Sequence, residues 1–151
     1  MKRWTVQGFL ELAQRLSDQM GVQVLLLGGP EEIDINKQIL SKVKGRVIDG
    51  GCSNSVQEFA SLLNLCDVVV TGDSLALHLA LALHRRLVVL FGPTSAAEID
   101  LYGLGQKILP EMDCLCCYRQ MCERSPTCME SISAGTVFRA VKEEVRALGK
   151  V

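Results

Sequence analysis

From the start of the chain, apolar residues Val6, Phe9, Leu10, Ala13, Leu16 and Met20 recur at helical spacing, with Thr5 placed as the N-cap and Gly21 as the terminator. Trp4 and Phe9 sit at the separation of a hydrophobic staple across that cap. Residues 22–27 form a continuous β-type run ending in Gly28-Gly29-Pro30, and Ile35, Ile39, Leu40 and Val43 then mark a second helix. Residues 46–49 predict a short strand. Ser55-Val56-Gln57-Glu58 is a capping box that opens a helix through Phe59, Leu62 and Leu63, and residues 67–70 follow as a strand ending at Thr71-Gly72-Asp73. The next helix, 74–83, is apolar nearly all round. A strand at 87–91 stops at Gly92-Pro93, a weaker one is predicted at 107–109, and Val137, Val141, Val145 and Leu148 form the stripe of a C-terminal helix. Strands that are apolar throughout and alternate with helices indicate an α/β fold with a parallel sheet buried on both faces.

Composition narrows this picture. A chain of 151 residues that is 48% hydrophobic supports one core, so residues 1–151 are expected to form a single domain. Sixteen Lys and Arg against seventeen Asp and Glu leave a net charge of -1, which gives no global field for nucleic acid or anionic lipid. Any anion site must therefore be local. No apolar run is long enough to span a bilayer, and Met1-Lys2-Arg3-Trp4 leads into polar sequence with no signal-peptide core, so a cytoplasmic protein is expected.

In an open α/β sheet, ligands bind beyond the carboxyl ends of the strands, where helix N-termini offer free amides and partial positive charge. Three polar clusters fall at such ends: Gly28-Gly29-Pro30-Glu31-Glu32, Asp49-Gly50-Gly51-Cys52-Ser53-Asn54 and Thr71-Gly72-Asp73-Ser74. Gly72 permits close backbone approach, and Ser74 with the first amides of its helix can bind a phosphate without a cationic side chain, so a diphosphate suits the site. His78, one turn on, points back at the same mouth. Structural roles compete for each of these residues. His78 could be a core histidine satisfied by a carbonyl, Asp73 an N-cap, and Glu31 and Glu32 first-turn acids favoured by the helix dipole.

The segments Lys2-Arg3-Trp4, Val24-Leu25-Leu26-Leu27-Gly28-Gly29-Pro30-Glu31-Glu32, residues 71–83, and Leu90-Phe91-Gly92-Pro93-Thr94 together resemble the C-terminal half of glycosyltransferase family nine, the ADP-heptose:lipopolysaccharide heptosyltransferases. The resemblance implies one Rossmann-like half of a GT-B fold, with the donor held mainly by this half. It implies Lys2 on the diphosphate, Glu32 on the ribose hydroxyls, the stretch around Asn54 at the adenine, and Asp73, Ser74 and His78 on the phosphates and donor sugar. The implied reaction is inverting transfer to a lipopolysaccharide-type acceptor, with no cofactor required.

In the family the catalytic base and acceptor site belong to an N-terminal domain, so no catalytic residue is assigned within this chain and that domain is expected to be absent from it. A strand that precedes the Lys-Arg-Trp motif in the family is missing as well. The expectation is an unfilled position inside the sheet, open to self-association. The resemblance implies a cytoplasmic location that includes a peripheral place at the inner membrane. Two other readings remain open: a nucleotide-sugar epimerase-like domain, against which Asp73-Ser74-Leu75-Ala76 argues, and a non-catalytic nucleotide- or metal-binding module.

Five of the seven cysteines lie between Cys114 and Cys128, within a Cys-rich loop expected at 111–130. Cys114-x-x-Cys117 has the spacing by which one turn presents two thiolates to a tetrahedral ion, and Cys122 and Cys128 are near enough to complete a structural zinc site, leaving Cys116 spare. Iron–sulfur ligation would use the same four thiolates. Reduced thiols packed as small hydrophobes, or a disulfide, are the alternatives.

Overall fold

The computed structural model describes residues 2–149, and in it the first helix starts where its cap predicts. The Thr5 hydroxyl accepts the Gly8 amide at 2.9 Å, and α1 runs over Val6–Arg15. Trp4 and Phe9 close the staple edge to face, ring centroids 5.1 Å apart. A π turn at Leu16–Met20 carries the helix to Gly21, whose φ of 65° is left-handed and ends it. The chain then alternates through β1 (Val24–Leu26), α2 (Ile33–Lys42), β2 (Val47–Asp49), α3 (Val56–Asn64), β3 (Val68–Gly72), α4 (Leu75–Ala82), β4 (Arg86–Leu90), β5 (Gly105–Ile108) and α5 (Ala134–Ala147). The Ser55–Glu58 capping box forms as expected, each residue accepting the other's amide.

Every strand pairing is parallel, but the expected single sheet is divided. β1 pairs with β2, β3 with β4 and β4 with β5, and no ladder joins β1 to β3. Both groups nevertheless belong to one layer, because Val24 of β1 and Val68 and Val70 of β3 pack on the same core beneath α1 and α5. A second core on the opposite face holds Leu63, Leu77, Leu87, Val89 and Phe91. The division corrects the expectation of strands buried on both faces. Residues 87–90 of β4, flanked by two partners, are at most 2% exposed, whereas all three residues of β1, paired on one side only, are half-buried. The strand predicted at 22–27 is shorter, Val24–Leu26, and matches residue for residue the three positions of β2 with which it pairs. The apolar α4 is likewise not an enclosed helix: Leu77 and Ala80 are fully buried, while Leu75 is 55% exposed.

α5 buries Val137, Val141 and Val145 as its stripe predicts, but Leu148 falls at the C-cap and stays exposed. Glu144 on the same helix is 3% exposed and accepts from Arg86 Nε at 2.6 Å, which ties α5 to the start of β4. Such a carboxylate is tolerable only because it is paired. Among the described residues no helix is long and apolar enough to cross a membrane.

Trp4 is 3% exposed and donates its indole N–H to the Ile132 carbonyl at 2.9 Å, and its ring lies against Gly8, where an added Cβ would stand 2.5 Å from Trp4 Cε2. Replacing a helical glycine by alanine ordinarily stabilises by about 1 kcal/mol. Here Gly8→Ala is expected to destabilise, and the sign should reverse in a Trp4→Ala background, where the obstructing ring is gone. Urea titrations of both single variants and the double variant check this, and additive effects would refute the contact.

Candidate functional site

Because the strands are parallel, the carboxyl ends of β1, β2 and β3 open on one side, and each is followed by one of the three polar clusters. The segment Lys2-Arg3-Trp4 connects two of them. The Lys2 carbonyl lies 3.2 Å from where a Cβ on Gly72 would stand, so the absence of a side chain at Gly72 is what lets this segment pass over the end of β3. Lys2 Nζ reaches Asp73 Oδ2 at 3.4 Å, beyond β3. Arg3 turns to the other cluster, where its guanidinium pairs with Glu32 and reaches Glu31 Oε2 at 3.5 Å, beyond β1. Trp4 anchors the segment in the core.

Glu32 is held from two sides. One carboxylate oxygen accepts the Gly29 amide at 2.7 Å and the other takes the Arg3 guanidinium, so Glu32 is more than a generic first-turn charge. The turn before them is tight: a Cβ at Gly28 would lie 2.7 Å from Glu32 Cβ and 3.1 Å from both Asn36 Nδ2 and Cys52 Sγ.

At the end of β3, the Thr71 hydroxyl donates to the Gly72 carbonyl at 3.1 Å and lies 3.0 Å from Ser74 Oγ. Ser74 is the N-cap residue of α4, yet its hydroxyl makes no cap hydrogen bond. The caps of α1, α3 and α5 all do, through Thr5, Ser55 and Ser133. First-turn amides of α4 are therefore free of a side-chain acceptor, which is the electrostatic condition for holding an anion. Asp73, 21% exposed at that mouth, would repel an anion by itself, and Lys2 offsets its charge. His78, one turn along α4, is exposed, which removes the core-histidine alternative.

The second cluster is shaped by its own loop. Gly51 has φ 82° and donates its amide to Asp49 Oδ1, and Asn54 donates from Nδ2 to the Gly50 carbonyl at 2.8 Å. Asn54 thus holds the loop and borders an open depression of about 420 Å³ along α3 with Gln57, Glu58, Ser61 and Leu62. A smaller depression, about 200 Å³, lies nearer the strand ends and is lined by Ile33, Asn36, Lys37, Asp49, Gly51, Cys52 and Ser53. Cys52 is the residue there that sequence reasoning placed in the loop without a role. Burial and the charges of Asp49 and Glu32 push its thiol pKa up, against a hydrogen bond from Asn36 at 3.2 Å. Arg3 was likewise visible only as part of a motif, since an ion pair spanning 29 residues leaves no local signal.

The cysteine segment lies past β5 in sequence and docks beyond the carboxyl end of β4, the strand paired with β3. Cys116 donates its amide to the Gly92 carbonyl at 3.1 Å and Tyr118 its own to Pro93 at 2.8 Å, so the Gly92-Pro93-Thr94 run after β4 docks this loop. All the cysteines are free thiols. Among the described residues no three side chains of metal-ligating type already stand as a metal-binding group.

Fold and site define an open parallel α/β protein whose crevice, beyond the ends of β1 and β3, presents paired charges and the free start of a helix. Residues 1–127 match Glycosyltransferase family 9 (heptosyltransferase), and the chain belongs to that family. It is 34% identical to lipopolysaccharide heptosyltransferase 2 of Escherichia coli strain K12 over 99 residues, 62% of this chain and 28% of that protein. The solved structure of E. coli ADP-heptose lps heptosyltransferase II matches with a TM-score of 0.78 at 23% identity, over 98% of this chain and 43% of that one. E. coli heptosyltransferase WaaC with ADP matches with a TM-score of 0.70 at 23% identity, over 95% and 40%. The chain spans less than half the length of each of these relatives. The fold is the Rossmann-like parallel α/β fold of the GT-B glycosyltransferases.

Arg3→Ala should change stability by less than about 1 kcal/mol, because the Arg3 side chain is 43% exposed and an exposed pair is weak. Gly28→Ala should cost more, about 1–3 kcal/mol, because its Cβ meets packed atoms on three sides. Chemical denaturation of the two variants checks the order, and a reversed order would mean that the ion pair and not the tight turn holds the β1 end.

Proposed function

We propose that this chain carries the donor site of a heptosyltransferase, taking an ADP-sugar, ADP-heptose foremost, for inverting transfer to a lipopolysaccharide core acceptor. The observation that carries this reading is the Lys2–Asp73 pair at the mouth of a helix whose N-cap hydroxyl caps none of its amides. The WaaC relative, whose structure is of a complex with ADP, supports the choice of nucleotide.

In this reading the diphosphate lies against the first turn of α4, with Ser74 and the glycine backbone of Gly72 beside it. Lys2 exchanges Asp73 for the phosphates, and the freed Asp73 carboxylate accepts from hydroxyls of the donor sugar, with His78 on the same side. Glu32, already oriented by Gly29 and Arg3, accepts the ribose hydroxyls, and the loop around Asn54 borders the adenine. An acceptor hydroxyl attacks the anomeric carbon as the bond to the diphosphate oxygen breaks. The extra negative charge on the leaving group is met by the Lys2 ammonium and the α4 amides, so the transfer itself needs no metal. The base and the acceptor-binding groups belong to a partner domain, in keeping with relatives more than twice as long as the part matched here. The protein works in the cytoplasm, at the inner-membrane surface where such an acceptor is presented. The open edges of β1 and β3 are where the chain would self-associate in the absence of that partner.

Calorimetry with ADP tests the site. Asp73→Ala and His78→Ala should each weaken binding by about tenfold, near 1.4 kcal/mol, and UDP and GDP should bind less tightly than ADP. Wild-type affinity in both variants would reduce these residues to a helix-start acid and an exposed histidine. The chain alone should transfer no heptose to a lipopolysaccharide core acceptor, and turnover by the purified chain would refute the assignment of the base to a partner domain.

A further inference from the structure

Glu32 ends a short helical turn, Pro30–Glu32, and its Oε2 reaches back to accept the Gly29 amide at 2.7 Å. A single contact of this kind fixes one oxygen and leaves the carboxylate free to rotate, because the last torsion of a glutamate side chain has a broad minimum. Arg3 supplies the second contact. Its guanidinium pairs with Oε1, so the carboxylate is held at both oxygens. The arginine itself has little freedom where it leaves the backbone. On one side the Lys2 carbonyl lies against Gly72, and on the other Trp4 is buried and donates its indole N–H to the Ile132 carbonyl at 2.9 Å.

An ionised carboxylate offers about four lone-pair sites, two on each oxygen. Gly29 takes a site on Oε2 and Arg3 a site on Oε1, so each oxygen keeps one for a ligand. Two hydroxyls on adjacent carbons fit such a pair. Glu32 also borders the smaller depression at the strand ends: the point where a Cβ on Gly28 would stand is 2.7 Å from Glu32 Cβ and 3.1 Å from both Asn36 Nδ2 and Cys52 Sγ, which line that depression. Glu31 differs from its neighbour. Its side chain is 87% exposed and meets the same Arg3 nitrogen only at 3.5 Å, a contact of little weight.

We propose that Arg3 is a positioning residue that makes the donor site selective for nucleotides with an intact ribose diol. It acts through Glu32 and touches no part of the ligand, and the proposal rests on the reading in which Glu32 accepts the ribose hydroxyls. With Arg3 in place, the two open lone pairs point in fixed directions, so binding pays no cost of ordering the carboxylate. Without it, the carboxylate turns about the Gly29 contact and meets the two hydroxyls in fewer of its orientations. A nucleotide that lacks both hydroxyls makes no use of Glu32. It is therefore indifferent to that rotation.

Calorimetry on the full chain tests this with ADP and with dideoxy-ADP, which lacks both ribose hydroxyls. The readout is the ratio of the two affinities, because the charge lost with Arg3 weakens both ligands alike and cancels. Wild type should prefer ADP by about tenfold or more. Arg3→Ala, which removes only exposed ion pairs and should fold, is expected to bring the ratio to about threefold or less. Arg3→Lys, which keeps a cation near Glu32, should fall between the two, and Glu31→Ala should retain the wild-type ratio. A wild-type ratio in Arg3→Ala, with or without a common loss for both ligands, would overturn the proposal and leave the donor site standing. So would a ratio lost in Glu31→Ala. Wild type that binds ADP and dideoxy-ADP equally would show that Glu32 does not read the ribose, and wild type that binds neither would overturn the donor-site reading together with the proposal.

Discussion

The placement of the crevice depends on three consecutive side chains, Lys2, Arg3 and Trp4, which hold together strands that no backbone ladder joins. Lys2 reaches the end of β3 and Arg3 the end of β1, while the indole between the helices donates to the Ile132 carbonyl. The three contacts differ in kind. Lys2 and Arg3 are 56% and 43% exposed, so their ion pairs contribute little to stability and act mainly by placing charge. Trp4 supplies the burial energy, which is why α1 has a glycine where the ring must lie.

This arrangement decides what the site can do. A helix start attracts an anion only when its amides are not already satisfied and no carboxylate stands unopposed beside them. α4 meets the first condition because Ser74 engages Thr71 instead of capping, and Lys2 meets the second by pairing with Asp73. On the other side of the crevice, Glu32 is fixed by a backbone amide and a guanidinium, so its orientation is set before any ligand arrives. A site of this kind is preorganised by short-range contacts at the ends of two strands, not by a deep cavity.

The carboxyl end of β4, which pairs with β3, carries a different structure. Beyond β4 the chain enters Gly92-Pro93-Thr94, all buried, and this short run receives amides from Cys116 and Tyr118 of the cysteine loop. Gly92 has room for no side chain because Cys128 and Met129 occupy that space. The loop is therefore docked by backbone hydrogen bonds, by the sulfur atoms of Cys128 and Met129, and by the Tyr118 hydroxyl, which accepts the Ser95 amide and donates to Glu98.

Much of the fold was legible in the chain itself, because its signals are local. The Thr5 cap, the Trp4–Phe9 staple, the Gly21 terminator and the Ser55–Glu58 box each need residues only a few positions apart, and each formed as expected. The parallel α/β fold and the gathering of three polar clusters at one end followed from alternation alone. What the tertiary structure decided was everything that depends on which distant residue arrives: the Arg3–Glu32 pair, the Asn36–Cys52 contact, the exposure of His78 and the contact of the Cys116 thiol with the Thr94 carbonyl. It also showed β1 and β3 without a shared ladder, because strand order is a property of the sheet and no run of apolar residues records whether its second edge finds a partner.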